Sequence, residues 1–121
     1  MSYNIDTWKV KKLSGLCIPI ESFFKHERTD WHPEKEYDEN GMLTLLFMES
    51  EIVGEVECGI LHVESIHISG EGSGTEMGWI IEPALQDSKG ELIASCVWES
   101  GDSINQLIVK DGDIEWVDID I

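Results

Sequence analysis

Between residues 92 and 121 the chain alternates with a two-residue period, interrupted only by turn residues, and this pattern constrains the fold more than any other feature. Leu92, Ala94, Cys96 and Trp98 alternate with Ile93, Ser95, Val97 and Glu99, the period of a strand rather than a helix. Ser100-Gly101-Asp102-Ser103 follows as a turn, since glycine adopts backbone angles that other residues avoid. Ile104–Lys110 then places Leu107 and Val109 on one face and Ile104 and Ile108 on the other. Asp111-Gly112 is a dipeptide favoured in two-residue hairpin turns. Beyond it Val117, Ile119 and Ile121 alternate with Asp118 and Asp120, giving an apolar face and a carboxylate face. The expectation is a three-stranded antiparallel meander at the C-terminus.

The middle of the chain has the same character. Met42–Met48 is apolar on both faces and reads as a central, covered strand. Glu49-Ser50-Glu51 reads as a turn, and Ile52–Glu57 as the returning strand, with Glu51, Glu55 and Glu57 on one face. In 60–68, Leu61 and Val63 give way to Ile66 and Ile68, a one-residue shift that a β-bulge near Ser65 would produce. The N-terminal third is less regular. Trp8–Leu13 and Leu16–Ile20 read as strands separated by Ser14-Gly15, and 27–41 as a polar connection. In 75–86 the helical spacing of Met77, Ile80, Ile81 and Leu85 competes with Gly78 and Pro83, which weaken a helix, so Glu76–Ile81 is assigned to strand. About eight short strands predict an all-β fold, a compact antiparallel β-sandwich or small β-barrel forming one domain over 1–121.

Charge supplies the functional expectation. The formal net charge is −17, well beyond the magnitude of about 2–8 that solubility asks of a small domain. Residues 1–35 hold six basic and five acidic side chains, whereas 36–121 hold only Lys89 and Lys110 against twenty acids. Such a field attracts cationic surfaces and repels nucleic acid and anionic lipid. A hydrophobic content of 41% sets the chain apart from disordered acidic segments. Cys17, Cys58 and Cys96 are odd in number and contain no CxxC pair, which suits reduced thiols in the cytoplasm. No N-terminal apolar region marks a secretory signal, and no apolar run approaches the roughly 20 residues of a membrane span.

Catalytic and metal signatures are weak. His26, Glu27, Asp30, His32 and Glu34 offer donors that zinc accepts, but their spacing matches no established motif, and a solvated loop is the expectation. His62 and His67 lie five apart on a strand whose bulge leaves open whether they share a face. Gly70-Glu71-Gly72-Ser73-Gly74 lacks the lysine and the following helix of a phosphate loop and reads as a turn. Asp111/Asp113 and Asp118/Asp120 lack EF-hand spacing. Each cysteine falls in an apolar strand pattern where burial is commoner than reactivity. Trp8, Trp79, Trp98 and Trp116 are core candidates first. No cofactor, no metal and no catalytic role are expected.

The expected function is therefore an acidic binding module for a basic protein partner. Its general character, small and strongly acidic without a catalytic signature, resembles that of immunity proteins that neutralise basic nuclease toxins, and is similar to that of nucleic-acid mimics. The expected acidic face is Glu51, Glu55, Glu57, Asp118 and Asp120, with Trp31 or Tyr37 as aromatic anchor. The alternative is a small-ligand-binding β-barrel whose tryptophans line an apolar cavity, or a non-catalytic protein of another role.

Overall fold

A computed structural model describes residues 5–47, 50–68, 80–98 and 103–120, with side chains described for these except at 5–7, 96–98, 103–104 and 119–120. The chain is all-β. Strands β1 (Ile5–Pro19), β2 (Glu34–Tyr37), β3 (Met42–Leu46), β4 (Ser50–Glu57), β5 (Ile60–Ile68), β6 (Lys89–Trp98), β7 (Ser103–Lys110) and β8 (Asp113–Asp120) form one sheet in the order β2-β3-β4-β5-β1-β6-β7-β8. Every pairing is antiparallel. Among the described residues β2 and β8 do not pair with each other, so the sheet is open. No helix among them is long and apolar enough to cross a membrane.

Local chemistry explains the hairpins. Asp111 and Gly112 both have positive φ, as do Cys58 and Gly59, which is the geometry that matches the right-handed twist of flanking strands. Asp38 closes the β2–β3 turn by accepting from the backbone N–H groups of Asn40 and Met42 through Oδ1. The bulge expected near Ser65 is present: Val53 pairs with Ser65 and Gly54 with Val63, leaving Glu64 as the extra residue.

β1 organises the sheet. It is one strand where the sequence suggested two, and it carries the break at Ser14-Gly15 as a bulge rather than a turn. Its register against β6 jumps between Val10 and Lys12 and again between Ser14 and Cys17, each jump accommodating extra β1 residues. At Cys17 the strand is paired on both sides, with His62 of β5 and Lys89 of β6.

One face of the sheet holds the core. Leu16, Ile18, Leu43, Leu45, Ile52, Leu61, Leu92, Leu107 and Val109 are fully buried there. The 3₁₀ turn Ile20–Phe24 and the helical turn α1 (Glu82–Leu85) cover this face, contributing Phe23, Ala84 and Leu85, with Ile80 and Ile81 leading into α1. Pro83 sits in the first turn of α1, where its missing N–H has no partner to lose. The expected strand at 76–81 therefore ends in helical backbone at Ile80–Ile81; 76–79 lie outside the described residues. Asp87, at the end of α1, accepts from Ser22 at 2.8 Å and Lys25 at 2.6 Å, tying α1 to the 3₁₀ turn.

Candidate functional site

The face opposite the core is read from the strand registers, because directly paired residues of antiparallel strands point to the same side. Leu43 and Leu45 are buried, so Met42, Thr44 and Leu46 of β3 face outward. Across from them on β2 stand Glu36, paired with Thr44, and Glu34, paired with Leu46. On β4, Glu51 pairs with Leu46 and Glu55 with Met42, and Glu57 follows two residues on. Glu34, Glu36, Glu51, Glu55 and Glu57 are all exposed. Among the described residues none of the five is in a salt bridge with lysine or arginine; Glu57 alone approaches a base, with Oε2 4.0 Å from His62 Nε2.

The other expected members lie elsewhere. Asp118 pairs with Asn105 and accepts a hydrogen bond from its amide. It belongs to the side that carries Leu107 and Val109, at the far edge of the sheet from Glu51, Glu55 and Glu57. Asp120 follows on β8, and its side chain lies outside the described residues. The side of β8 that carries Asp118 is therefore the side of the core, not the side of the glutamates, whereas Asp113 and Glu115 alternate with it on the outer side. Tyr37 is 61% exposed on edge strand β2, on the same side as its partner Leu43. Trp31 is half-buried and packs against the core. Its ring stacks on His26 at 4.7 Å between centroids and lies beneath the Arg28 guanidinium at 4.5 Å.

The histidine loop is organised by its own backbone. His26 Nδ1 accepts from the Arg28 N–H at 3.0 Å, and His32 Nε2 donates to the His26 carbonyl at 2.7 Å. Each ring thus commits a nitrogen to the loop. Arg28 pairs with Asp30 at 2.8 Å, and the hydrogen bond from Arg28 holds the Asp30 carboxyl below its ordinary range. Among the described residues no three histidine, cysteine or carboxylate side chains converge on a point that could hold a metal ion.

One grouping was missed from sequence. Leu16 and Ile18 point into the core, so Cys17 between them faces outward, half-buried. The row across the outer face runs Glu55, His62, Cys17, Lys89 on β4, β5, β1 and β6. Cys17 Sγ lies 3.2 Å from His62 Nδ1 and 3.4 Å from the Gly15 carbonyl. The alternation of Leu16, Ile18 and Ile20 was the signal that could have turned Cys17 outward; its partner 45 residues away had none. The bulge at Glu64 also places His62 and His67 on one face, across from Glu55 and Glu51 respectively. On the neighbouring row, the hydrogen bond from Lys12 at 2.8 Å holds the Glu91 carboxyl below its ordinary range.

Comparison with family models, with curated proteins and with solved structures found no match for this chain.

Proposed function

We propose that the protein is a binding module whose outer β2–β4 face engages a cationic protein surface. The observation that carries this is the set of five exposed glutamates, Glu34, Glu36, Glu51, Glu55 and Glu57, on one side of three adjacent strands. Glu34 and Glu51 flank Leu46, two strand spacings or ~10 Å apart, and Glu51 to Glu57 spans ~20 Å along β4. Five charges thus share about 140 Å² of sheet between their Cα positions. Spread evenly, the net charge of −17 over 7146 Å² would leave one excess charge per roughly 420 Å².

The size of the field decides what it does. A unit cation ~10 Å from each of five carboxylates gains about 2 kcal/mol in water, and screening at physiological salt reduces this to about 0.6 kcal/mol. That favours faster encounter with a basic surface while contributing little to the lifetime of the complex. Lifetime falls to desolvated aromatic contacts; Tyr37 is more exposed than the half-buried Trp31, but it lies on the Leu43 side of β2, so a partner would reach it only by wrapping the open β2 edge. Asp118, on the other side of the sheet, does not join this face.

We infer also that the sheet coils into an incomplete barrel rather than separating into two layers. Inner residues of β3–β5 and of β6–β7 belong to one continuous core, and Trp116 of β8 donates to Glu82 of α1 at 3.3 Å. The interior is occupied by Phe23, Ile81 and Leu85, which supports packing rather than a ligand cavity. Cys17 and Cys58 are both free thiols, which supports a reducing, cytoplasmic setting.

The test begins with affinity capture from native lysate, washed at low and then high salt. A basic protein released by salt is expected, and its association rate at low salt should fall at least several-fold with the E51Q/E55Q/E57Q variant while its dissociation rate changes little. Failure to capture such a partner, or an association rate and salt slope unchanged by the three substitutions, refutes the reading.

A further inference from the structure

We infer that Cys17 is a nucleophilic thiol, with His62 as its base, and that its co-reactant is a small organic disulfide carrying no net negative charge. Two side chains flank Cys17, and a third faces one of them. His62 Nδ1 is 3.2 Å away and, in the neutral tautomer protonated at Nε2, can accept the thiol hydrogen, which otherwise goes to the Gly15 carbonyl at 3.4 Å. His62 Nε2 faces the Glu57 carboxylate, 4.0 Å from Oε2, too long for a hydrogen bond. Lys89 occupies the position directly across β6 from Cys17, supplying positive charge on the other flank. A nucleophile within reach of a base, which is itself faced by a carboxylate, is the arrangement that activates a thiol.

The surroundings select the reaction. Acyl transfer needs free N–H groups aimed at a developing oxyanion, whereas Cys17 sits mid-sheet, where β5 and β6 take up the backbone on both sides. Displacement at sulfur needs no such donors. His62 takes the thiol proton as the sulfur attacks one sulfur of the disulfide. The S–S bond breaks, a Cys17 mixed disulfide forms, and the departing thiolate takes the proton from His62. Cys17 is oxidised and the released half of the disulfide is reduced.

Size and charge restrict the co-reactant. Cys17 is half-buried, which favours small molecules, and Glu55 and Glu57 on β4, one strand beyond His62, disfavour anions. The product is not resolved internally by Cys58. That residue lies in the β4–β5 turn, beyond the Pro19–Ile60 pair, so its Cα is roughly 10 Å from Cys17, outside the reach of a disulfide. Cys58 therefore serves as an exposed thiol without this arrangement, in the same molecule.

The experiment treats the folded full-length protein with dithiodipyridine, a neutral disulfide, and measures modification at each cysteine by site-resolved mass spectrometry. At neutral pH Cys17 should react at least ~10-fold faster than the more exposed Cys58, a threshold set below the ~100-fold at which general-base assistance typically begins because Cys17 is half-buried. The H62Q variant should bring Cys17 to the rate of Cys58 or below, and leave Cys58 unchanged. The charged groups around His62 are Glu55 and Glu57 on β4, Lys89 on β6 and Glu64 on β5. The wild-type ratio of the two rates, which needs no substitution, decides the matter if H62Q does not fold. A Cys17 no faster than Cys58, or a rate insensitive to H62Q, overturns the inference.

Discussion

Replacing Gly90 with alanine tests whether the β1 bulge is held by backbone contact. Gly90 has φ +90°, and a Cβ there would stand 2.2 Å from the Gly15 carbonyl oxygen and 2.7 Å from the Leu16 N. Both obstacles are backbone, so no rotamer change relieves them. Nor is Gly90 free to withdraw: its N–H donates to Asp111 Oδ1 at 3.0 Å, and its carbonyl accepts from the Asp111 N–H at 2.9 Å. Positive φ costs an alanine about 1–2 kcal/mol, and forcing a methyl group into filled space typically adds about 1–3 kcal/mol. Restricting the unfolded chain returns about 0.4–1 kcal/mol. The expected net loss is about 2–4 kcal/mol, a large share of the 5–15 kcal/mol that holds a typical domain together. Gly59 provides the comparison, because it has φ +76° but nothing within 4 Å of its added Cβ. G59A should cost only about 1 kcal/mol, the strain less the unfolded-state gain. Urea titrations followed by far-ultraviolet circular dichroism should place G90A at least about 1 kcal/mol below G59A. If the two agree within about 0.5 kcal/mol, the close approach of β1 and β6 at this point is not what positions the strands.

Substitutions at two further positions probe the core and its straps. Asp87 accepts from Lys25 and Ser22, and these bonds, Lys25 first, hold its carboxyl below the ordinary range. Because the folded value is depressed, the stabilisation is present above the unfolded value near pH 4 and is lost as pH falls through the folded one. D87N should therefore reduce stability slightly at pH 7, by under about 1 kcal/mol for so exposed a pair, and the gap should narrow as pH falls below about 4; a gap that does not narrow there would contradict this. Trp8 is 5% exposed, packs edge-on against Trp116 at 5.5 Å, and has an indole N–H with no acceptor among the described residues. W8F removes that unmatched donor and should stay within about 1 kcal/mol of wild type, whereas W8A should lose about 3–5 kcal/mol; equal losses would show that the N–H is satisfied.

Strands were legible in this sequence wherever one side of the chain is buried. The meander from Leu92 onward and the Ile52–Glu57 strand follow from two-residue periodicity, and the Asp111-Gly112 turn from its residue types. β2 was not legible, because Glu34-Lys35-Glu36-Tyr37 is exposed along its whole length and an edge strand wet on both sides has no alternation to read. The helical turn at Glu82–Leu85 was obscured by Pro83, which breaks helix interiors but is tolerated in a first turn. In β8 the period was clear and the side was not. Whether Asp118 or Val117 shares a face with the core depends on which of them pairs with Asn105, since Asn105, Leu107 and Val109 share a side of β7.

The sites show the same division between what is local and what is paired. That Glu51, Glu55 and Glu57 share a face is a property of one strand and needs no partner. That Glu34 and Glu36 join them depends on a four-residue edge strand in register with β3. The thiol site lies one step further from the sequence, because three separate displacements must agree to build it. The bulge opposite Gly90 sets β1 so that Leu16 points inward and Cys17 outward. The extra residue Glu64 lets His62 face outward while Ile66 and Ile68 remain in the core. The register of β1 against β5 then sets Cys17 beside His62 rather than beside Leu61. A shift of one residue in any of the three would leave the composition and the periodicity of each strand unchanged and would separate the sulfur from its base. The sequence therefore displays the acidic face almost openly, while the reactive thiol is a product of register.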